Sequence, residues 1–377
     1  MNRPRVIVAM SGGVDSAVAA GLLARQGYEV IGVTMRLWTL EDPQAPRHHR
    51  RCCSVEDTDD AREAAQALGI PHYVLNLERE FQESVVDYFL REYQRGRTPN
   101  PCLACNEHVK FRSLLSRALA LEADFLATGH YARIERSNGR YRLLRAVDDE
   151  KDQSYVLFTL DQAQLSRLLF PIGHHRKEEV RRLAAEMGLP VADKPDSADI
   201  CFIPDNDYRS FIASRLAQSE GEIHDAGGRV VGRHQGVAAF TVGQRRGLGV
   251  ALGEKRFVTA IDPGRSLVTI GSEEDLLADQ LWAEDVNWVS GEPPPAGTAV
   301  EAKIRYRTPA APAEVHPEGG GAWVSFRQPQ RAITPGQAAV FYQGEEVLGG
   351  GIIAGTQGRG QPDESGRLTA QKPLARL

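Results

Sequence analysis

The stretch RVIVAMSGGVDSAVAAGLLARQG, Arg5 to Gly27, decides the reading of the first half of the chain. Arg5 to Met10 is apolar enough for a short buried strand, and Ser16 to Gln26 reads as a largely apolar helix, with Gly27 where a C-terminal glycine belongs. Strand, glycine turn and helix together open a βα unit. Inside it, SGGVDS (Ser11 to Ser16) sets two adjacent glycines at the junction. There backbone N–H groups approach a ligand without Cβ obstruction, and the helix start favours negative charge. Ser11 and Ser16 add hydroxyl donors. The plainer reading is that Gly12 and Gly13 only make a turn and that Asp15 or Ser16 only caps the helix.

Outward from this unit, strand-like runs VIGVTMRLW (Val30 to Trp38), HYVLNL (His72 to Leu77) and ADFLATGHY (Ala123 to Tyr131) alternate with helical stretches such as DTDDAREAAQALG and FRSLLSRALALE. Alternating βα units predict an α/β fold with a parallel sheet covered on both faces. Arg176 to Met187 carries Val180, Leu183 and Met187 on one stripe and continues the helical pattern to about residue 210. Beyond it, glycine-punctuated short segments predict a small β-rich unit over 211–281. Alternating strands such as AVEAKIRYR, GAWVSFR and QAAVFYQGEEVLGGGII predict a small closed β-barrel over 282–357, next to a Pro-rich joint at Glu292 to Pro295. The first unit then spans 1–210, and a loose tail 358–377 follows the barrel.

The 377 residues are 42% hydrophobic and 25% charged, enough for two or three cored domains. No apolar run approaches a membrane span, and the first residues pass directly into a strand, so a cytoplasmic protein is the expectation. A net charge of −5 argues against a globally basic nucleic-acid binder and leaves room for local basic patches.

Five cysteines argue against a disulfide framework and for thiol chemistry, metal binding or burial. GRTPNPCLACNEHVKF, Gly96 to Phe111, reads as a proline-stiffened loop that enters a helix near Glu107. Cys105 then lies just before a helix start, with His108 and Lys110 near, which lowers a thiol pKa. Cys201 sits in DSADICFIP. Zinc held by Cys102, Cys105, Cys52 and Cys53 is one alternative, although vicinal cysteines suit tetrahedral ligation poorly. A second is a [4Fe-4S] cluster on Cys102, Cys105 and Cys201 with one open iron. Plain burial of Cys201 is a third. The 16 residues from Thr39 to Ser54 form a long unpatterned loop, which marks function or mobility.

SGGVDS resembles the PP-loop of ATP pyrophosphatases, which cleave ATP between the α and β phosphates and adenylate their substrates. The ordered set SGGVDS, GVTMRLW, GRTPNPCLACNEHVKF, ATGHYAR, DEKDQSYVLF, DSADICFIP, TVGQRRGLG and KIRYR resembles the bacterial tRNA-specific 2-thiouridylases from about Val6 to Gly355. The resemblance implies an N-terminal PP-loop domain of the adenine nucleotide alpha hydrolase type. It also implies ATP-dependent 2-thiolation of the wobble uridine, position 34, in tRNAs for Lys, Glu and Gln.

By motif, Cys201 resembles the persulfide carrier and Cys105 the partner thiol. Ala9, Met10, Ser11, Gly12, Gly13, Val14, Asp15, Ser16, Met35 and Gly129 match the nucleotide contacts, with Mg2+ screening the phosphates. Asn100, Pro101 and Cys102 match a target-base contact, and Lys151, Asp152 and Gln153 an RNA contact. Arg305, Tyr306 and Gln343 match contacts from the barrel, and His130 is grouped with the RNA side. A cysteine desulfurase or a sulfur carrier protein is the implied sulfur source. One departure is Cys102, where well-studied members carry Asp in NPDxxCN; it adds weight to an iron–sulfur variant. Two rival readings remain: another PP-loop enzyme that adenylates a small acid or amide, and an RNA-binding iron–sulfur or zinc protein for which ATP is only a structural ligand.

Overall fold

Five short strands run parallel in one sheet: β1 (Arg5–Ala9), β2 (Glu29–Arg36), β3 (His72–Asn76), β4 (Phe125–Thr128) and a later two-residue strand, Leu168–Leu169, in the order β3-β2-β1-β4 and then that strand. The computed structural model describes residues 3–38, 55–195, 200–203, 207–217, 219–250 and 253–357. Alternate residues of β1 point to opposite faces. Val6 and Val8 pack beneath α1 (Val14–Arg25), α2 (Val55–Ala67) and the helix Lys177–Glu186, against Val18, Ala61 and Val180. Ile7 and Ala9 join a second cluster with Phe81, Phe89, Leu103 and Phe111. Burial on both faces explains why β1 reads as an unbroken apolar run.

That second cluster is built by two long helical stretches. The first passes through Glu78–Phe81, a π-helical turn Gln82–Val86 and Asp87–Gln94. The second passes through Pro101–Ala104, a π-helical run Cys105–Leu114 and Leu115–Ala120. It starts at Pro101, not near Glu107, because Asn100 and Pro101 form a helix start: the Asn100 carboxamide oxygen accepts from Cys102 N at 3.0 Å, and proline fits the first turn. Strand β4 is also shorter than the ADFLATGHY run predicts.

A hairpin follows, β5 (Arg133–Ser137) and β6 (Arg140–Leu144), then β7, the Leu168–Leu169 strand. The predicted helical pattern toward 210 resolves into Lys177–Glu186 and Tyr208–Ala213, and the described residues between them are not helical. The middle unit is a four-stranded sheet of β8 (Gly221–Asp225), β9 (Val230–His234), β10 (Phe257–Asp262) and β11 (Leu267–Gly271), ordered β10-β11-β8-β9 around Ile223, Val258, Val268 and Ile270.

The last unit is the predicted closed barrel. Its strands are β12 (Leu277–Trp288), β13 (Thr298–Lys303), β14 (Ala311–Glu318), β15 (Gly321–Arg331), β16 (Ala338–Gln343) and β17 (Glu346–Gln357). They pair in the order β12-β15-β14-β13-β16-β17, and β12 pairs with β17 to close the ring. The Pro-rich stretch at Glu292 to Pro295 therefore connects β12 to β13 inside the barrel and is not a joint ahead of it. The β5–β6 hairpin extends this sheet, since Glu346 of β17 pairs with Leu144 and Arg142 bridges Glu346 at 2.7 Å. The Thr39 to Ser54 loop with Cys52 and Cys53, and the tail 358–377, lie outside the described residues.

Candidate functional site

The turn between β1 and α1 is shaped by two close approaches. Gly12 has φ of +73°, and a Cβ there would stand 2.1 Å from the carbonyl oxygen of Asp57 in α2. A Cβ on Gly129, just after β4, would stand 2.6 Å from the backbone nitrogen of Ser16. Both positions need glycine because backbone, which cannot move aside, occupies the space. Gly13 is the N-cap of α1, and no side chain caps it. No side-chain cap closes this helix start, and an uncapped start is the kind of end that can cradle an anion.

The hydroxyl of Ser16 is not a donor toward the mouth of this cradle: it accepts from Ser11 N and donates to Gly13 O, each at 3.1 Å, and closes the loop on itself. Asp15 turns to the other side, where Lys177 Nζ lies 2.8 Å from both of its carboxylate oxygens and the Tyr131 hydroxyl donates to Oδ1 at 2.8 Å. Lys194 Nζ donates to Gly12 O at 3.0 Å and to Asp57 Oδ1 at 2.7 Å. Sequence reasoning missed Lys194 and Asp57, and gave Lys177 no role toward Asp15. Lys177 carries no local signal, whereas Lys194 stands in KPDSADIC, beside a motif already singled out. Val14 and Met10 are buried, and Met10 O accepts from Thr34 Oγ1 at 2.8 Å, so these two shape the loop from below.

Across the second core cluster stand the cysteines. Cys105 and Cys201 are half-buried and both pack against the cluster that contains Ala9 and Met35. Cys102 is exposed in the first helical turn after Asn100. Cys105 lies one turn further in, at the α-to-π transition, so the helix-start effect on a thiol belongs to Cys102. Nor does His108 supply charge: burial lowers its pKa, although Glu107 opposes the shift, and the imidazole is neutral at pH 7. Among the described residues no three His, Cys, Asp or Glu side chains gather to hold a metal ion. Cys102, Cys105 and Cys201 are thus not gathered as such a group among the described residues, and Cys52 and Cys53 lie outside them.

All three units meet at the approach to Cys102. Thr98 N donates to Pro335 O and Gln337 Nε2 donates to Thr98 O, both at 2.8 Å. Arg97 bridges Glu92 at 2.9 Å and Glu284 of the barrel at 2.6 Å, while the Thr98 hydroxyl reaches Thr241 of the middle unit at 3.3 Å. Tyr306, after β13, faces the same place: burial pushes its phenol up, and electrostatic interaction with Asp152 and Cys102 adds to the shift. Lys303 lies over the Tyr155 and Tyr306 rings at 5.9 and 5.6 Å, its pKa lowered by burial. Gln343 is exposed at the β16 end of a hairpin.

Other expected contacts are occupied within the fold. His130 is 6% exposed, sits between the rings of Phe111 and Phe170 at 5.7 and 5.8 Å, and bonds Thr128 Oγ1 at 2.6 Å. Burial, with Lys110 adding repulsion, holds its pKa well below 6.5. It is a neutral core histidine and offers RNA no surface. Asp152 accepts from Ala146 N and Ser154 N at 3.1 Å and from Ser154 Oγ at 2.8 Å, and Gln153 Oε1 accepts from Tyr131 N at 3.0 Å. Lys151 is half-buried, as is Gln153, while Asp152 is buried. Arg305 Nη2 donates to Ala332 O at 3.0 Å, to Thr334 Oγ1 and to Val242 O at 3.4 Å, which ties barrel to middle unit.

Comparison with known proteins agrees with this architecture. The family described as tRNA methyl transferase HUP domain matches residues 4–205, the tRNA methyl transferase PRC-barrel domain 209–272 and the aminomethyltransferase beta-barrel domain 278–353. A tRNA-specific 2-thiouridylase MnmA of Pelotomaculum thermopropionicum is 49% identical over 94% of this chain and 99% of its own. One of Moorella thermoacetica is 51% identical over 92% and 98%, and one of Lachnoclostridium phytofermentans 50% identical over 93% and 99%. With about half of all residues shared along nearly the full length of each relative, the chain belongs to the tRNA-specific 2-thiouridylase family.

Proposed function

We propose that the chain catalyses ATP-dependent 2-thiolation of the wobble uridine, position 34, of tRNAs for Lys, Glu and Gln, with the three units divided at about 210 and 281. The relatives' names supply the reaction class. The observation that supports the mechanism is that Cys105 and Cys201, 96 positions apart (201 − 105), pack against the same apolar cluster, which also contains Ala9 and Met35.

ATP is the first substrate. Its phosphates bind at the Gly12–Ser16 turn, with Mg2+ carried on the phosphate oxygens. The uridine C2 oxygen attacks the α-phosphorus, and pyrophosphate leaves. Oxygen is thereby converted from a poor leaving group into AMP. A persulfide on Cys201, loaded by a cysteine desulfurase or a sulfur carrier protein, attacks C2 with its outer sulfur and AMP departs. The Cys105 thiolate then attacks Cys201 Sγ, breaking the S–S bond to the base. The products are 2-thiouridine and a Cys105–Cys201 disulfide, so the electron pair that reduces the outer sulfur comes from the two thiols. A thiol reductant restores them before the next turnover.

The base reaches the thiols by leaving the anticodon stack, which a single-stranded loop permits at modest cost. Asn100, Pro101 and Cys102, with Tyr306, Lys151 and Gln343, form the RNA side of this site, which operates in the cytoplasm. Asn100 acts there mainly through its backbone and cap. The test is an anaerobic reaction of the full chain with α-labelled ATP, S-adenosylmethionine, a wobble-uridine tRNA and a sulfur donor. AMP release with RNA-dependent 2-thiouridine is expected. AMP without RNA would favour a small-molecule adenylating enzyme, and a methylated nucleoside without sulfur would favour the chemistry in the matched domains' names.

A further inference from the structure

We propose that Lys194 is a positioning residue of the adenylation step: its ammonium fixes the orientation of the Gly12–Gly13 peptide so that Gly13 N–H faces the phosphates. The inference rests on the reading of Ser11 to Ser16 as the phosphate loop.

A peptide unit is planar and trans, so its C=O and N–H point in opposite directions. No peptide bond among the described residues is cis. Lys194 Nζ holds Gly12 O at 3.0 Å from the side of α2, and this directs the N–H of the same unit away from α2 and toward the open end of α1. The unit is flanked by glycine on both sides. With no Cβ to favour one orientation, such a peptide flips easily, and a preferred direction has to come from an outside partner. Lys194 is that partner.

The ammonium is itself held. Its other two donors go to Asp57 Oδ1 at 2.7 Å and to Asp60 Oδ2, which with Gly12 O accounts for all three. Partial burial works against the charge, but the hydrogen bonds and attraction of Asp57 and Asp60 outweigh it and raise the pKa above the ordinary lysine value, so the group is protonated at any physiological pH. Arg181, on the helix Lys177–Glu186, donates to Ala192 O at 2.8 Å and to Lys194 O at 3.1 Å and so anchors the backbone that carries Lys194. A residue 182 positions from the loop thus sets one donor of the anion cradle.

The test measures binding of ATP, pyrophosphate and adenosine to the full chain and to Lys194→Met and Lys194→Arg, at 0.05 and 0.5 M salt. Lys194→Met is expected to weaken ATP and pyrophosphate at least tenfold in equal proportion and to leave adenosine unchanged. Lys194→Arg, which keeps a donor for Gly12 O, recovers most of the loss. The loss persists at high salt, because an altered peptide direction is not screened. A loss that disappears at 0.5 M would reduce Lys194 to a through-space charge and overturn the proposal. So would pyrophosphate affinity within twofold of the parent, or an equal loss for adenosine. Failure of the parent chain itself to bind ATP would instead overturn the phosphate-loop reading, and this inference with it.

Discussion

Two helix starts lie on the two sides of the candidate site, and they are built in opposite ways. At α1, Gly13 is the N-cap, no side chain caps it, and glycines at 12 and 129 let neighbouring backbone press in around an open end. At Pro101, Asn100 folds its carboxamide back onto Cys102 N and proline occupies a position that needs no donor. The first start keeps its donors available for an anion. The second satisfies them internally and uses the rigid turn to present a thiol. Motif chemistry is thus divided between an open end that binds and a closed end that holds shape.

The strongest way to break this comparison is Cys105→Ser. Turnover should fall below detection in a thiolation assay while ATP affinity and melting temperature stay at parent values; lost ATP binding would make the closed end part of the cradle. Next, Gly12→Ala should cost about 2–4 kcal/mol by chemical denaturation, since a Cβ would overlap Asp57 O at a positive φ, and should eliminate ATP binding in the folded fraction. A variant of parental stability would mean that α2 yields easily.

A smaller effect sharpens the closed side. His130 packs on Phe111 of the cysteine helix and has a pKa depressed well below 6.5 by burial and by Lys110. The unfolded chain takes up a proton below about 6.5 and the folded chain does not, so stability is full above that value and falls as pH drops. The loss is expected relative to a His130→Gln chain, which lacks this slope, and denaturation midpoints of the two chains across about pH 7.5 to 5.5 check it. Smallest is Asn100→Ala, about 1 kcal/mol for the lost cap. ATP affinity should not change; a parallel loss would join the two helix starts into one unit.

The first start was legible because its information is local: strand, two glycines and helix follow one another within Arg5 to Gly27. The barrel was legible through alternation in Thr298–Lys303 and Gly321–Arg331. The second start was misread because prolines 99 and 101 look like loop stiffeners until Asn100 is taken as a cap. His130, Asp152 and Arg305 were read as RNA contacts; Asp152 is held by its neighbours Ala146 and Ser154, whereas His130 lies between Phe111 and Phe170 and Arg305 is held by Ala332, Thr334 and Val242, partners from other elements that no local pattern records. Lys177 and Lys194 act on Asp15 and Gly12 across more than 160 positions, so periodicity carries no trace of them.

The hairpin β5–β6 belongs by sequence to the first unit but continues the sheet of the last, where Glu346 meets Leu144. On a ribosome, 202 residues (346 − 144) separate the two strands. At about 5–20 residues per second the hairpin waits roughly 10–40 s with an unpaired edge. The charged side chains of β6, Arg140 and Arg142, guard that edge during synthesis. Chaperones that shield nascent strand edges should therefore meet this chain early, and a release of the first unit alone would produce a soluble fragment only if that edge stays guarded.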